Sequence, residues 1–368
     1  MADRTALLDA TEAAALLAPG LGETLGVPFG RPMVAVAATD DDATHAAAMA
    51  VIGAPAVVVG VVEGASPPAH ILDRFDVVVA RADFDPPGGV PRSAVLADDP
   101  RAEVDALAAG VAASPAAAVA LVQLLRAGIH LSVAEAVVAE SWVYSMLQAG
   151  PDHQGWLRSR PAPGGGAAAE ASVQVARSGR RLDVHLDRAA RRNAVSAGLR
   201  DGVHEALAVA LTDPTVAEVH LWGRGPSFCA GGDLDEFGSA PDPVTAHLVR
   251  TTRSPALDLT RCGERLVVHV HGAAVGAGCE WAAFARRVVA RDDATFRLPE
   301  VSMGLVPGAG GTASIPRRIG RQRTAHLALT GQTIGAEVAR AWELVDAVVD
   351  REEFAAAQSD ALRWTDTA

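Results

Sequence analysis

Short apolar runs, built mostly of valine and alanine, recur along this chain, each stopped by a glycine or a polar turn. The first three are PMVAVAA at 32–38, PAVVVGVV at 55–62 and FDVVVARA at 75–82. A run that is apolar at successive positions has no polar side to offer water, so as a strand it must be covered on both faces. THAAAMAVIG, between the first two runs, supplies a helix for such a cover. Strands alternating with helices in this way predict an α/β, or α+β layered, architecture.

From residue 101 the pattern becomes helical. AEVDALAAGVAA stops near Ser114-Pro115, and PAAAVALVQLLRAG and SVAEAVVAESWVYSMLQAG follow, each closed by glycine. RPAPGGGAAAEA at 160–171 then breaks the composition and reads as a linker. Strand signals return after it. SVQVARSGRRLDVHLDR predicts a hairpin, GLRDGVHEALAVALTD an amphipathic helix and VAEVHLWGRG a strand. A single helical stretch is expected over 243–261, then a buried strand in RLVVHVHG, and a final helix in REEFAAAQSDALRW. These boundaries divide the chain into residues 1–161, a linker at 162–171 and a second domain at 172–368.

The 368 residues suffice for two domains with real cores. A formal charge of −12 argues against nucleic acid as a general partner. It leaves room for one phosphorylated ligand held by local arginines; all 32 basic residues are arginine. No apolar run has the length of a membrane span, and the N-terminus lacks the basic start of a secretory signal, so no membrane association and a cytoplasmic location are the expectations. The three cysteines are scattered without zinc-site spacing, so no metal is expected.

Two glycine-rich turns follow strands: GRGPSFCAGGDLDEF at 223–237 and HGAAVGAGCEW at 271–281. Small residues let a ligand approach the backbone, and two turns ending neighbouring strands can aim two amides at one oxygen. The second turn places Glu280 behind four small residues, and Glu300 follows in LPEVSMG. Taken singly, Glu280 could be a helix-start acid, Glu300 an exposed turn residue, Asp233 a turn cap and His271 a satisfied buried histidine.

Residues 172–350 resemble the crotonase, or enoyl-CoA hydratase/isomerase, superfamily. The motifs are LDRAARRNAVS, SFCAGGDL, HGAAVGAGCEWAAF, TFRLPEVSMGLVPGAGGT and LALTGQTIGAEVARAWELVDAVV, in the family's order. The resemblance implies a ββα spiral core and an oxyanion hole formed by the amides of Gly232 and Ala277, where the family usually has glycine at the second position. It implies Glu280 and Glu300 as the catalytic pair. Arg191, Arg192, Ala230, Gly231, Asp233, Leu234, Gly276, Pro307 and Gly308 fall at positions that contact the substrate or its CoA, although Arg191 and Arg192 read equally well as a solvated arginine run. The implied substrate is an acyl-CoA thioester, with CoA entering as part of it and no separate cofactor, in a homo-oligomer, trimer or hexamer. Enoyl-CoA hydration is the leading expectation. Isomerisation, a cofactor-independent oxygenation of the dihydroxyphenylacetyl-CoA type, and an inactive acyl-CoA-binding paralogue are the alternatives.

The chain departs from the family in a further respect. Family members continue past the LVDAVV position with helices that cover the site, whereas residues 102–161 look like that segment placed ahead of the core. Residues 1–161 are therefore expected to be a degenerate crotonase-like unit that caps the catalytic domain, in cis or from a neighbouring subunit.

Overall fold

A computed structural model describes residues 5–18, 24–86, 88–161 and 173–362. The expected linker at 162–171 lies outside the described residues. The chain begins with β1 (Leu7–Leu8), α1 (Ala10–Leu17), β2 (Met33–Ala37), α2 (Asp42–Ala50), β3 (Val57–Val62), α3 (Ala69–Leu72), β4 (Val77–Arg81) and β5 (Ala94–Ala97). The five strands form a wholly parallel sheet in the order β1-β2-β3-β4-β5. Every residue of β3 is buried, which explains its unbroken apolar sequence.

Four helices follow: α4 (Pro100–Ala113), α5 (Pro115–Gly128), α6 (Val133–Gln148) and α7 (Pro151–Ser159). Pro115 cannot continue α4, and the helix axis turns by 109° at that break. α6 starts at a capping box, in which Ser132 and Glu135 satisfy each other's backbone amides. A buried ion pair anchors α5: Arg126 donates to both oxygens of Asp76, at 2.8 and 2.5 Å, and to the carbonyls of Ala54 and Ala56.

The second half holds β6 (Val173–Ser178), β7 (Arg181–Leu186), α8 (Ala197–Thr212), β8 (Glu218–Gly223), α9 (Pro243–Thr252), α10 (Pro255–Cys262) and β9 (Leu266–Val270). β10 (Ala273–Val275), α11 (Ala277–Ala282), β11 (Arg287–Arg291), β12 (Thr295–Arg297), α12 (Gly311–Ile319) and α13 (Arg321–Thr330) come next. β13 (Thr333–Gly335), α14 (Ala336–Ala341), β14 (Ala347–Val349) and α15 (Arg351–Leu362) complete it. A six-stranded sheet runs β14-β11-β9-β8-β7-β6, parallel except for the β6–β7 hairpin, and a small sheet runs β10-β12-β13. This is the crotonase architecture with an additional parallel sheet and helical block ahead of it. The single helix expected over 243–261 is two helices, because Ser254 caps a new start and Pro255 occupies its first position.

The two halves share one core. A continuous hydrophobic cluster runs from Val57, Val59 and Val77 through Leu107 and Leu121 to Val268, Leu305 and Leu327. Arg321 of α13 also reaches Asp76, at 3.4 Å. Among the described residues no single helix is long and apolar enough to cross a membrane.

Candidate active site

The site grows from the two glycine turns. The Cys229 amide donates to Ala273 O at 3.1 Å and the Val275 amide to Cys229 O at 2.9 Å, so the turn after β8 lies along β10. Gly276, at φ +50°, closes β10 and starts α11. A methyl group at this glycine would stand 3.6 Å from the Gly231 Cα and 2.4 Å from Glu300 Oε1. Both the backbone angle and the space therefore demand glycine. The slot is bounded by the first turn, the second turn and Glu300.

Gly232 and Ala277 each follow one of the two glycines that approach each other there, Gly231 and Gly276. Val195 donates to Gly231 O at 2.7 Å and Asp233 donates to Val195 O at 2.9 Å, a pairing that steps over the Gly232 amide. Ala277 is the first residue of α11, where an amide has no intrahelical acceptor.

The two carboxyl groups have different surroundings. Glu280 is 2% exposed, and its Oε2 accepts the amides of Ala309 and Gly311, each at 2.7 Å. Burial pushes its pKa up to about 7 against the pull of those amides. Glu300 opens a short turn after Pro299, and its Oε2 is buried with no hydrogen-bond partner among the described residues. Burial and the nearby Glu280 charge raise it well above the usual carboxyl range. Both carboxyl groups are thus held above their ordinary range, Glu280 against the pull of two amides and Glu300 with no partner at Oε2.

The remaining expected residues divide between the slot and its rim. Ala230 is half-buried and donates to Arg192 O at 3.0 Å. Asp233 is buried and accepts from Arg188 at 2.6 Å, Arg191 at 3.0 Å and the Asp235 amide at 3.1 Å, so it is spent on holding the turn. Arg191 pairs with Asp233 and Asp235 at the rim, Arg192 is exposed, and Leu234 is 44% exposed. Pro307 is buried and Gly308 partly so, in the loop whose amides hold Glu280. His271 uses Nε2 on Gly225 O at 2.9 Å, but its buried Nδ1 has no partner among the described residues, so it is only half satisfied.

Three further residues enter the site without having been expected from sequence. Glu140 of α6, 1% exposed, accepts the Gly310 amide at 2.7 Å and the Thr312 amide and hydroxyl at 2.8 and 2.7 Å. Burial first, and Glu280 second, push its pKa up to about 8. Tyr144, one turn along α6 and the only tyrosine of the chain, lies against Gly308. Arg250 of α9 stacks on the Tyr144 ring, 4.6 Å from its centroid. α7 adds a brace, with His153 Nδ1 bonded to Met303 O at 2.9 Å, just past Glu300.

The sequence model described as enoyl-CoA hydratase/isomerase matches residues 181–366, half of the chain. The chain belongs to the enoyl-CoA hydratase/isomerase family. Over 174 residues it is 36% identical to 2,3-dehydroadipyl-CoA hydratase of Escherichia coli, covering 47% of this chain and 68% of that one. It is 33% identical over 173 residues to a probable mitochondrial enoyl-CoA hydratase of Dictyostelium discoideum, covering 46% of this chain and 61% of that one. A crystal structure of enoyl-CoA hydratase from Bacillus anthracis overlays 53% of this chain and 76% of its own, at 27% identity and a TM-score of 0.47. The family match begins beyond α7, so Glu140 and Tyr144 belong to a part of the chain that no family motif reaches. Among the described residues no cluster of His, Cys, Asp and Glu is placed to hold a metal ion. A concavity of about 870 Å³ at the ends of β3 and β4 is lined by none of these residues.

Proposed function

We propose that the chain adds water across the double bond of a 2-enoyl-CoA thioester. The observation that supports this reading is the slot at Gly276, bounded by the Gly231 Cα and by Glu300 Oε1, with the Glu280 charge near enough to raise the Glu300 carboxyl. The thioester oxygen accepts from the amides of Gly232 and Ala277, which stabilise the charge that gathers there as the enolate forms. Donors of this kind are worth roughly 3 kcal/mol each. Glu280, whose Oε2 is held by two amides, takes a proton from water as its oxygen attacks Cβ. Glu300, whose burial favours the protonated form, delivers a proton to Cα. Both additions come from the one side on which the carboxyl groups lie, which makes the addition syn. Glu280 returns the proton it gained to Glu300 through solvent, and the cycle closes without a separate cofactor.

Residues 1–161 act in this reading as a cap working in cis, since α6 of the same chain supplies Glu140 and Tyr144 to the loop that holds Glu280. The test is to mix the protein with crotonoyl-CoA and follow the absorbance of the conjugated thioester and the product mass. Loss of the band with gain of one water supports the reading, with kcat lowered by roughly 10²- to 10⁴-fold in both Glu280→Gln and Glu300→Gln. An unchanged mass with a moved double bond indicates isomerisation. Uptake of dioxygen by an arylacetyl-CoA indicates oxygenation, and binding without turnover indicates a paralogue that has lost catalysis.

A further inference from the structure

Residues 309–312 form a strip of backbone whose amides serve two different carboxyl groups. The four amides alternate: Ala309 and Gly311 donate to Oε2 of Glu280, each at 2.7 Å, while Gly310 and Thr312 donate to Glu140, at 2.7 and 2.8 Å. The Thr312 hydroxyl adds a third bond to Glu140, at 2.7 Å. A methyl group at Gly311 would stand 2.5 Å from the Glu280 Cγ, so the strip must be bare there. Two adjacent glycines give such a strip more backbone freedom than any other pair. α12 begins at Gly311, and the amides of Gly311 and Thr312 have no acceptor within their own helix. The order of the strip has to come from outside it.

Glu140 is placed to supply that order. It projects from α6, whose start is fixed by the Ser132–Glu135 capping box and whose next residue, Ser141, is bonded to His247 at 2.9 Å and to Arg250 at 3.0 Å on α9. α6 also packs directly on α12. Neighbouring peptide planes share a Cα, so the Gly310 and Thr312 amides cannot swing away without carrying those of Ala309 and Gly311 with them. Without the Glu140 acceptor two buried donors lack partners, and the strip turns to satisfy them. Glu280 then loses the amides that favour its charged form. Glu300, Tyr144, Cys229 and Cys279 feel the Glu280 charge as well, but among the described residues none of them hydrogen-bonds to the strip.

We propose that Glu140 is a positioning residue for Glu280. It acts through the strip, keeping the Ala309 and Gly311 amides on the carboxylate that activates water, and so makes turnover depend on a helix outside the matched family segment. The inference rests on the hydratase reading above.

The test follows hydration of crotonoyl-CoA against pH in the wild-type protein, Glu140→Ala and Glu140→Gln. The acid limb of kcat/KM reports ionisation of the base in the free protein. In Glu140→Ala this limb is expected to move up by about one pH unit, and kcat to fall about 10- to 100-fold with KM kept within about twofold. Glu140→Gln, which keeps one acceptor oxygen, is expected to lie between the two, and it gives the direction of the change if the alanine variant fails to fold. In a Glu280→Gln background, Glu140→Ala is expected to lower kcat by no more than about twofold. Asp76→Ala breaks the buried pair with Arg126 and is expected to leave the limb in place. The inference is overturned if the limb stays put when Glu140 is replaced, if it moves to lower pH, which would mean that Glu140 acts by its charge, or if it moves in Asp76→Ala as well. It is equally overturned if Glu140→Ala costs as much kcat in the Glu280→Gln background as in the wild type. Amide hydrogen exchange read residue by residue needs no turnover. Ala309 and Gly311, which do not hydrogen-bond to Glu140, are expected to exchange at least about tenfold faster in Glu140→Ala. A wild-type protein that hydrates no thioester refutes the hydratase reading, and the exchange then judges Glu140 alone: unchanged protection at Ala309 and Gly311 removes its positioning role.

Discussion

Replacing Glu140 by glutamine should change the sign of its effect on stability as pH rises. The wild-type carboxyl group titrates at about 8 in the folded protein, against an ordinary value of 4.5. The folded state therefore holds a proton that the unfolded chain has released. Stability from this source is complete below pH 4.5 and is lost as pH climbs through 8, by at most about 5 kcal/mol. Glutamine cannot ionise and removes that loss. It carries its own cost, because its NH₂ must face one of the amides of Gly310 and Thr312 that the two carboxyl oxygens now accept. One buried donor is then left without a partner, at about 1–3 kcal/mol. At pH 5 only this cost applies, so the variant should be less stable by about 1–3 kcal/mol. At pH 8.5 the relief exceeds it, and the variant should be more stable by roughly 2–4 kcal/mol. Urea unfolding followed by tryptophan fluorescence at the two pH values measures both numbers. A difference of the same sign and size at pH 5 and pH 8.5 refutes the reasoning, because it would mean that Glu140 is ionised in the folded protein throughout.

Other perturbations follow from the same geometry. Gly308→Ala should destabilise the protein, since the added carbon would lie 2.3 Å from the Tyr144 ring. In a Tyr144→Ala background the same change should cost at least about 1 kcal/mol less, read as a coupling energy in a double-mutant cycle. Asp76→Ala leaves Arg126 buried without its anion and should lower unfolding free energy by about 3–5 kcal/mol in denaturant titration. Gly276→Ala should abolish thioester turnover while a far-ultraviolet circular dichroism spectrum stays native, because the clash is with Glu300 Oε1 inside the slot.

Legibility of the sequence followed the range of the forces involved. The valine runs at 55–62 and 75–82 are buried strands, and the stop at Ser114-Pro115 is a sharp corner, because strand burial and proline chemistry act locally. The small residues at 276–279 marked the close approach of two backbones at Gly276. Arg253-Ser254-Pro255 carried a helix boundary that periodicity alone passed over. Glu140 could not be found in this way. Its partners, Gly310 and Thr312, are 170 and 172 positions away, and nothing in AVVAES distinguishes a site residue from a solvated helix acid.

The core shared between the halves has a consequence for synthesis. α4, α5 and α6 leave the ribosome well before α12 and α13, the helices on which they rest. At roughly 5–20 residues per second the interval is on the order of 10 to 30 s. During that time Leu107, Leu121 and Val137 have only one another and the first sheet to lean on. The nascent chain should therefore be a client for trigger-type holding factors, and a gene split after residue 161 should yield two pieces that stay soluble only when they are made together.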